Sequence, residues 1–351
     1  MTKIIRIGMD TSKSVFQLHG VDESEQPVMR RKLSRRAMLE FFRKLAPTVV
    51  GIEACGGSHH WVRVLEELGH EVKLMAPQYV KPYLKRGKND AADAEAICEA
   101  MSRPMMRFVP AKSVDQQADQ MLLGMRDRLV RLRTQIMNTI RGYAMEFGHV
   151  VPKGHCHIEP LLLEIDDDKG VPSLVKEFFS QFSAELASVE KRIAAIDEKL
   201  KAYYRQNELC HRLADIPGIG VVGATLLAAK ATDVKAFKSG RDFAAWIGLT
   251  PKDHSTAGRV RLGSITKAGD ASLRSVLVVG ATSVIQQAKR SGVHKLPWLE
   301  ALLKRKPGKL AAVALANKTA RIAWRLMVSG ERYRPMQAAS GSERLTALAI
   351  A

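Results

Sequence analysis

Asp10, Glu53, Asp90 and Asp93 are the residues of this sequence whose types and spacing suit chemistry. Asp10 follows the apolar run Ile4–Met9, and Glu53 follows Val49–Ile52. Each carboxylate therefore ends a predicted strand, and two such strands side by side bring their terminal acids to one edge of a sheet. Asp90 and Asp93, in Lys88-Asn89-Asp90-Ala91-Ala92-Asp93-Ala94, stand three apart on a predicted helix and share a face. Four acids gathered in one place repel one another unless cations neutralise them, and hard oxygen donors suit Mg²⁺ or Mn²⁺. Next to a polyanion, such ions serve phosphoryl transfer. Taken singly, each acid has a plainer use. Asp10 fits a turn or a helix cap, and Asp90 fits an N-cap with Asp93 and Glu95 in the first helical turn.

A second group of chemical side chains lies between residues 243 and 274. Ser255, Thr256 and Ser264 sit in a small-residue loop among Lys252, Arg259, Arg261, Lys267 and Arg274. A serine surrounded by cations can attack a phosphodiester, because the cations stabilise the charge that develops on phosphorus oxygens. The bland use is equally available, since loop hydroxyls often bond to their own backbone. Upstream, Asp215-Ile216-Pro217-Gly218-Ile219-Gly220 precedes the apolar run Val221–Ala229 and resembles half of a helix-hairpin-helix. Gly218 and Gly220 would there expose backbone N–H groups to a phosphate, or simply make an interhelical turn.

The elements that must position these groups fall into two kinds. The first hundred residues alternate strand and helix signals: strands at 4–9, 15–21, 27–33, 48–53 and 71–75, with helical patterns from Ser34 to Leu45 and over 58–68. This is an α/β domain around a central sheet. From about residue 112 the chain reads as all-α. Leu122, Met125, Leu129, Leu132, Ile136 and Ile140 form one seam of three- and four-residue spacings, and Phe182, Leu186, Val189, Ile193, Ile196, Leu200 and Tyr203 form another. Such seams suit a coiled-coil-like pair, within the chain or between chains, or an ordinary pair of amphipathic helices.

Composition narrows the partners. The 351 residues hold 55 Lys+Arg against 36 Asp+Glu, a formal net charge of +19, which points to a polyanion. No apolar run approaches the roughly 20 residues that span a bilayer, so nucleic acid is favoured over membrane. Met1–Arg6 leads into a strand and lacks the apolar stretch of a signal peptide. Cys55, Cys98, Cys156 and Cys210 form no CxxC pair and read as reduced cytoplasmic thiols.

Three blocks now carry a family resemblance: Ile7-Gly8-Met9-Asp10-Thr11-Ser12-Lys13, Gly51-Ile52-Glu53-Ala54-Cys55-Gly56 and Lys88–Ala94. They are similar to the DEDD motif blocks of insertion sequence 110 family transposases, relatives of the Piv-type DNA invertases. Ser58-His59-His60-Trp61 also resembles that family's pattern after the Glu, with His59 and His60 given a structural or DNA-contact role. Phe243–Arg259, continuing through Gly263-Ser264-Ile265-Thr266-Lys267-Ala268-Gly269-Asp270 to Leu273-Arg274, looks like the family's C-terminal transposase domain. Ala257 stands where the family frequently has glycine.

The resemblance implies a ribonuclease-H-like (RuvC-like) domain over 1–110, a helical coiled-coil linker over 111–208, a C-terminal serine transposase domain over 209–335, and a tail at 336–351. It makes Asp10, Glu53, Asp90 and Asp93 the metal-binding acids and Ser255 the nucleophile, with Lys252, Arg259, Arg261, Lys267, Arg274, Gly218 and Gly220 facing nucleic acid. It further implies Mg²⁺ or Mn²⁺, donor and target DNA, a noncoding bridge RNA, and a homodimer or homotetramer in the prokaryotic cytoplasm at the nucleoid. Two other classes remain: a Holliday-junction-type metal endonuclease without a serine nucleophile, and a non-catalytic nucleic-acid-binding protein.

Overall fold

In the computed structural model, which describes residues 3–84, 89–291 and 297–334, the chain divides into two compact units, Met1–Asp115 and Gln116–Ala351. Lys88 of the third motif block and the tail at 336–351 lie outside the described residues.

The first unit is built on five strands: β1 (Arg6–Thr11), β2 (Val15–Val21), β3 (Pro27–Ser34), β4 (Val49–Glu53) and β5 (Glu71–Met75). Their order is β3-β2-β1-β4-β5, with β2 antiparallel to both β1 and β3, and β4 and β5 parallel to β1. The strand period of two decides what each face carries. Ile7 and Met9 on β1, with Val50 and Ile52 on β4, are fully buried in a core completed by Met38, Phe42, Trp61 and Leu65. Those partners come from α1 (Arg35–Lys44) and α2 (Ser58–Glu67). Ser34 caps α1 by accepting from the Ala37 N–H, as the sequence pattern predicts. The intervening residues Gly8, Asp10, Gly51 and Glu53 point to the opposite face. After the short α3 (Pro77–Val80), α4 (Asp90–Ala100) covers that face, packing on β1, β2 and β4. One boundary differs from the sequence reading: Asp10 and Thr11 belong to β1 and pair with Gln17 and Phe16, where a turn was expected.

The second unit is mainly helical. α5 (Val114–Glu146) and α7 (Ser173–Gln206) flank α6 (Ile158–Asp167). Arg126 meets Asp197 at 2.5 Å, and Tyr143 stacks on Phe182 with ring centroids 6.1 Å apart, so α5 and α7 run antiparallel. Leu129, Ile136 and Ile140 on α5 share one core with Leu186, Val189, Ile193 and Leu200 on α7. The seams therefore close within the chain. The α5 stripe is shifted from the expected one: Leu123 is buried and Met125 is 36% exposed.

Beyond the pair come α8 (Glu208–Ala214), α9 (Val221–Lys230), α10 (Gly240–Ile247), a two-stranded ribbon of β6 (Pro251–Asp253) and β7 (Leu262–Ile265), then α11 (Ala271–Ser291), α12 (Pro297–Leu303) and α13 (Gly308–Ser329). α13 buries Ala311, Ala312, Ala316, Ala320 and Ala323, and these small side chains let it lie close against α11 and α10. Among the described residues no helix is long and apolar enough to cross a membrane.

The seam makes a stability test. Leu129→Ala and Ile193→Ala should each cost about 2–5 kcal/mol, as buried truncations do. Met125→Ala, at a partly exposed position, should stay within about 0.5 kcal/mol in the same denaturant titration.

Candidate metal centre and hydroxyl loop

Convergence of the acids depends on how closely α4 can lie on the sheet. A Cβ built on Gly8 would stand 2.1 Å from the Ala94 carbonyl oxygen and 2.5 Å from the Cys98 nitrogen, both backbone atoms of α4. One on Gly51 would meet Met101 Sδ at 2.6 Å. Glycine at the first rung lets the helix backbone touch β1, and at the second it leaves room for the Met101 and Ile97 side chains over β4. The next residues on the same face are Asp10 and Glu53, at the carboxyl ends of the neighbouring parallel strands β1 and β4. The first turn of α4 then delivers Asp90 and Asp93. Asn89 opens this helix by accepting from the Ala91 N–H, and the positive end of the helix dipole suits the two carboxylates.

Asp10, Asp90 and Asp93 each place a carboxylate oxygen within 4.8 Å of the others. Glu53 stands just outside that group. It is near enough that Asp10 and Asp93 both raise its pKa, after the larger effect of burial. Asp10 is raised for the same reasons, first by burial and then by Asp93 and Asp90. Repulsion at partly buried carboxylates is the condition that a divalent cation relieves, and an all-oxygen donor set fits Mg²⁺ or Mn²⁺.

The two histidines behind Glu53 have different surroundings. His59 Nδ1 accepts the Lys112 N–H at 3.2 Å, and burial with the nearby Lys112 and Arg63 lowers its pKa to about 4. It is neutral at physiological pH and ties α2 to the segment that follows α4. His60 is exposed and packs edge-on against Trp61.

In the second unit, Ser255 lies just past β6 and is exposed. Its N–H donates to Asp253 Oδ1 at 2.8 Å, and its Oγ accepts the Arg261 N–H at 3.0 Å. Hydrogen bonding to Ser255, by hydroxyl and then by backbone, holds the Asp253 carboxyl below its ordinary value. Sequence reasoning missed Asp253, although its position two residues before the serine is the signature of an Asx turn. Thr256 and Arg259 close a tight turn through the Arg259 N–H and the Thr256 carbonyl at 2.9 Å. The two central residues, Ala257 (φ 48°) and Gly258 (φ 78°), are both left-handed. This is the backbone reason that glycine suits position 257.

Lys252, Arg259, Arg261 and Lys267 are exposed around this turn, and Ser264 is exposed on β7. Arg274 differs. Its guanidinium donates to the Ile247 carbonyl at 2.9 Å and the Ala268 carbonyl at 3.3 Å, so it braces the loop.

Gly218 (φ 90°) docks on α11, where a Cβ would stand 2.9 Å from the Gly280 carbonyl oxygen. Gly220 begins α9 without a side-chain cap. Both border a groove of about 830 Å³ that Arg126 and Arg133 of α5 and Ser272, Ser275 and Ser283 of α11 also line. Arg133 Nε is buried without a hydrogen-bond partner among the described residues.

Comparison with known proteins adds two family models and several relatives. The model described as Transposase IS116/IS110/IS902 family matches residues 210–295, and a DEDD transposase model of the IS110 type matches residues 7–147. The chain is 63% identical to “Putative transposase y4pF/y4sB” of Sinorhizobium fredii, over 95% of this chain and 86% of the relative. It is 39% identical to the transposase for insertion sequence element IS1111A of Coxiella burnetii, over 95% and 92%. It is 38% identical to the transposase for insertion sequence element IS1328 of Yersinia enterocolitica, over 94% and 98%.

Two outcomes follow from the geometry. Carboxyls whose pKa values are raised on folding contribute stability at low pH that is lost as pH rises through the raised values. The metal-free protein should thus lose stability across the interval above the ordinary Asp and Glu values of 3.8 and 4.5, and Mn²⁺ should restore it only on the alkaline side. Thermal melts with and without Mn²⁺ at several pH values read this directly, and Gly8→Ala should abolish the Mn²⁺ response with every carboxylate intact. Separately, Ala257→Gly should strengthen the turn by about 1 kcal/mol, seen as slower hydrogen exchange at the Arg259 amide.

Proposed function

The chain belongs to the IS116/IS110/IS902 family of insertion-element transposases, and we propose that it cuts and rejoins DNA through a composite of the acid cluster and Ser255. The observation that carries this reading is the convergence of Asp10, Asp90 and Asp93 within 4.8 Å in a chain whose net charge is +19. The strand order β3-β2-β1-β4-β5, with its antiparallel and parallel halves, supports a ribonuclease-H-like, RuvC-like character for the first unit. Residues 111–208 act as a helical arm and 209–335 as the serine-bearing domain.

Asp10, Asp90, Asp93 and Glu53 would hold Mg²⁺ or Mn²⁺. Once bound, such an ion neutralises charge on the reacting phosphate and lowers the pKa of a coordinated hydroxyl. Ser255 Oγ gives up its proton to solvent and forms a bond to phosphorus as one phosphodiester P–O bond breaks, and the leaving DNA oxygen takes a proton from solvent in turn. One ester replaces another, so the backbone energy is kept for rejoining. Asp253 accepts from the serine and orients its hydroxyl, while Lys252, Arg259 and Arg261 offset charge on the phosphate oxygens. Ser255 and the acids belong to separate units, so catalysis brings them together in a homodimer or homotetramer. A bridge RNA encoded by the element selects donor and target DNA, and the basic surplus of the chain suits two polyanions at once. This activity belongs in the prokaryotic cytoplasm at the nucleoid.

The deciding experiment amplifies recombinant junctions from the protein expressed with its own element ends. Wild type should yield junctions, and Asp10→Ala and Ser255→Ala should each reduce them at least a hundredfold. Loss in Asp10→Ala alone would move the nucleophile to Thr256, Ser264 or water, which is the nuclease reading. Junctions in all three would sink the composite site.

A further inference from the structure

The row of residues that ends at Asp10 continues across the sheet. Asp10 pairs with Gln17 on β2, and Gln17 pairs with Lys32 on β3. Directly opposed residues on adjacent strands share a face, so Gln17 and Lys32 lie on the side that carries the acid. One rung earlier, Gly8, His19 and Arg30 repeat the pattern, and Arg30 reaches Glu95 of α4 at 3.6 Å, which identifies that side as the α4 face. The alternate residues of β3 turn the other way. Met29 is buried in the core under α1 and α2, and the Arg31 guanidinium lies 5.4 Å from the centre of the Phe41 ring.

Arg30 is engaged with Glu95, whereas Lys32 is exposed and has no carboxylate partner among the described residues. Gln17 is half-buried, and its side-chain amide makes no hydrogen bond among the described residues. Adjacent antiparallel strands set opposed Cα atoms about 5 Å apart, so the Lys32 backbone stands about 10 Å from that of Asp10. A lysine ammonium on its flexible stem is a mobile point charge suited to a phosphate oxygen, and the Gln17 amide supplies a neutral donor beside it.

We propose that Gln17 and Lys32 form a phosphate-binding subsite, which holds a phosphate of the DNA strand next to the one that reacts at the acid cluster. This placement rests on the reading of Asp10, Glu53, Asp90 and Asp93 as the metal centre. The subsite answers an electrostatic need of that centre. Four carboxylates repel a DNA strand, and an unpaired cation one short reach away draws the strand across them in one orientation.

The test uses the full chain and a labelled DNA duplex carrying the element's own end, with Ca²⁺ present, and follows fluorescence anisotropy over a series of salt concentrations. Lys32→Ala should flatten the slope of log K against log salt by about one unit, the value for one lost phosphate contact. Lys32→Arg should keep the wild-type slope, and Gln17→Ala should weaken binding several-fold with the slope unchanged. Arg31→Ala removes the same charge from the opposite face of the same strand and should leave the slope as in wild type. An unchanged slope for Lys32→Ala, or equal flattening by Arg31→Ala, overturns the subsite. Flattening with an RNA duplex of that sequence but not with DNA overturns it too. Wild-type junction yield from Asp10→Ala would sink the metal reading by itself, and the Lys32 slope decides the subsite independently of that result.

Discussion

The contact between α4 and the bare backbone of β1 at Gly8 is the constraint on which the first unit depends. Side chains of ordinary size hold a helix well off a sheet, and at that distance acids on the helix cannot meet acids on the strands. Gly8 removes the spacer on β1, where Ala94 shortens the helix side, and Gly51 makes room on β4 for the Met101 side chain. The same alternation that turns Ile7, Met9, Val50 and Ile52 into the opposite core turns the glycines and the acids toward α4. Fold and site are thus two readings of one strand pattern. The arrangement opposes itself electrostatically, because close packing gathers carboxylates that raise one another's pKa. Hydrophobic burial on both sides of the sheet holds them together.

Much of the first unit was legible in the sequence because its signals are local. The β2 range, the Ser34 cap and the α2 start all follow from period and capping residues close in the chain. The extension of β1 through Asp10 and Thr11 was not legible, since it depends on pairing with Gln17 and Phe16 across a hairpin. The gathering of Asp10 with Asp90 and Asp93 was suggested by strand ends and helix spacing. The reason it happens, a glycine facing a carbonyl some eighty residues away, is a tertiary contact that no spacing encodes. In the second unit the period of the long helices was clear, but the stripe on α5 rotated by a residue near its start, placing Leu123 inside and Met125 partly outside. A run of apolar residues at 122, 123 and 125 admits either face, and only the partner helix chooses.

The hydroxyl loop shows where residue type alone misleads. Lys252, Arg259, Arg261, Lys267 and Arg274 look equivalent in the sequence, yet Arg274 spends its guanidinium on two backbone carbonyls. Asp253 looks like a stray acid among cations, yet it makes the closest contacts to Ser255. Local hydrogen bonding separates groups that brace the loop from groups that face outward.

β3 is the outermost strand of the five-stranded sheet, and its outer edge pairs with no other strand of that sheet. Such an edge is a template on which a second chain can add a strand, the first step of ordered aggregation. Arg30, Arg31 and Lys32 stand in succession along it. An incoming copy would bring like charge against like on both faces of the edge, Lys32 on the α4 side and Arg31 on the other, while Arg30 is engaged with Glu95. The charge that suits this strand to a polyanion therefore also keeps one molecule's sheet from growing into the next, and a highly basic protein can carry an open edge without polymerising through it.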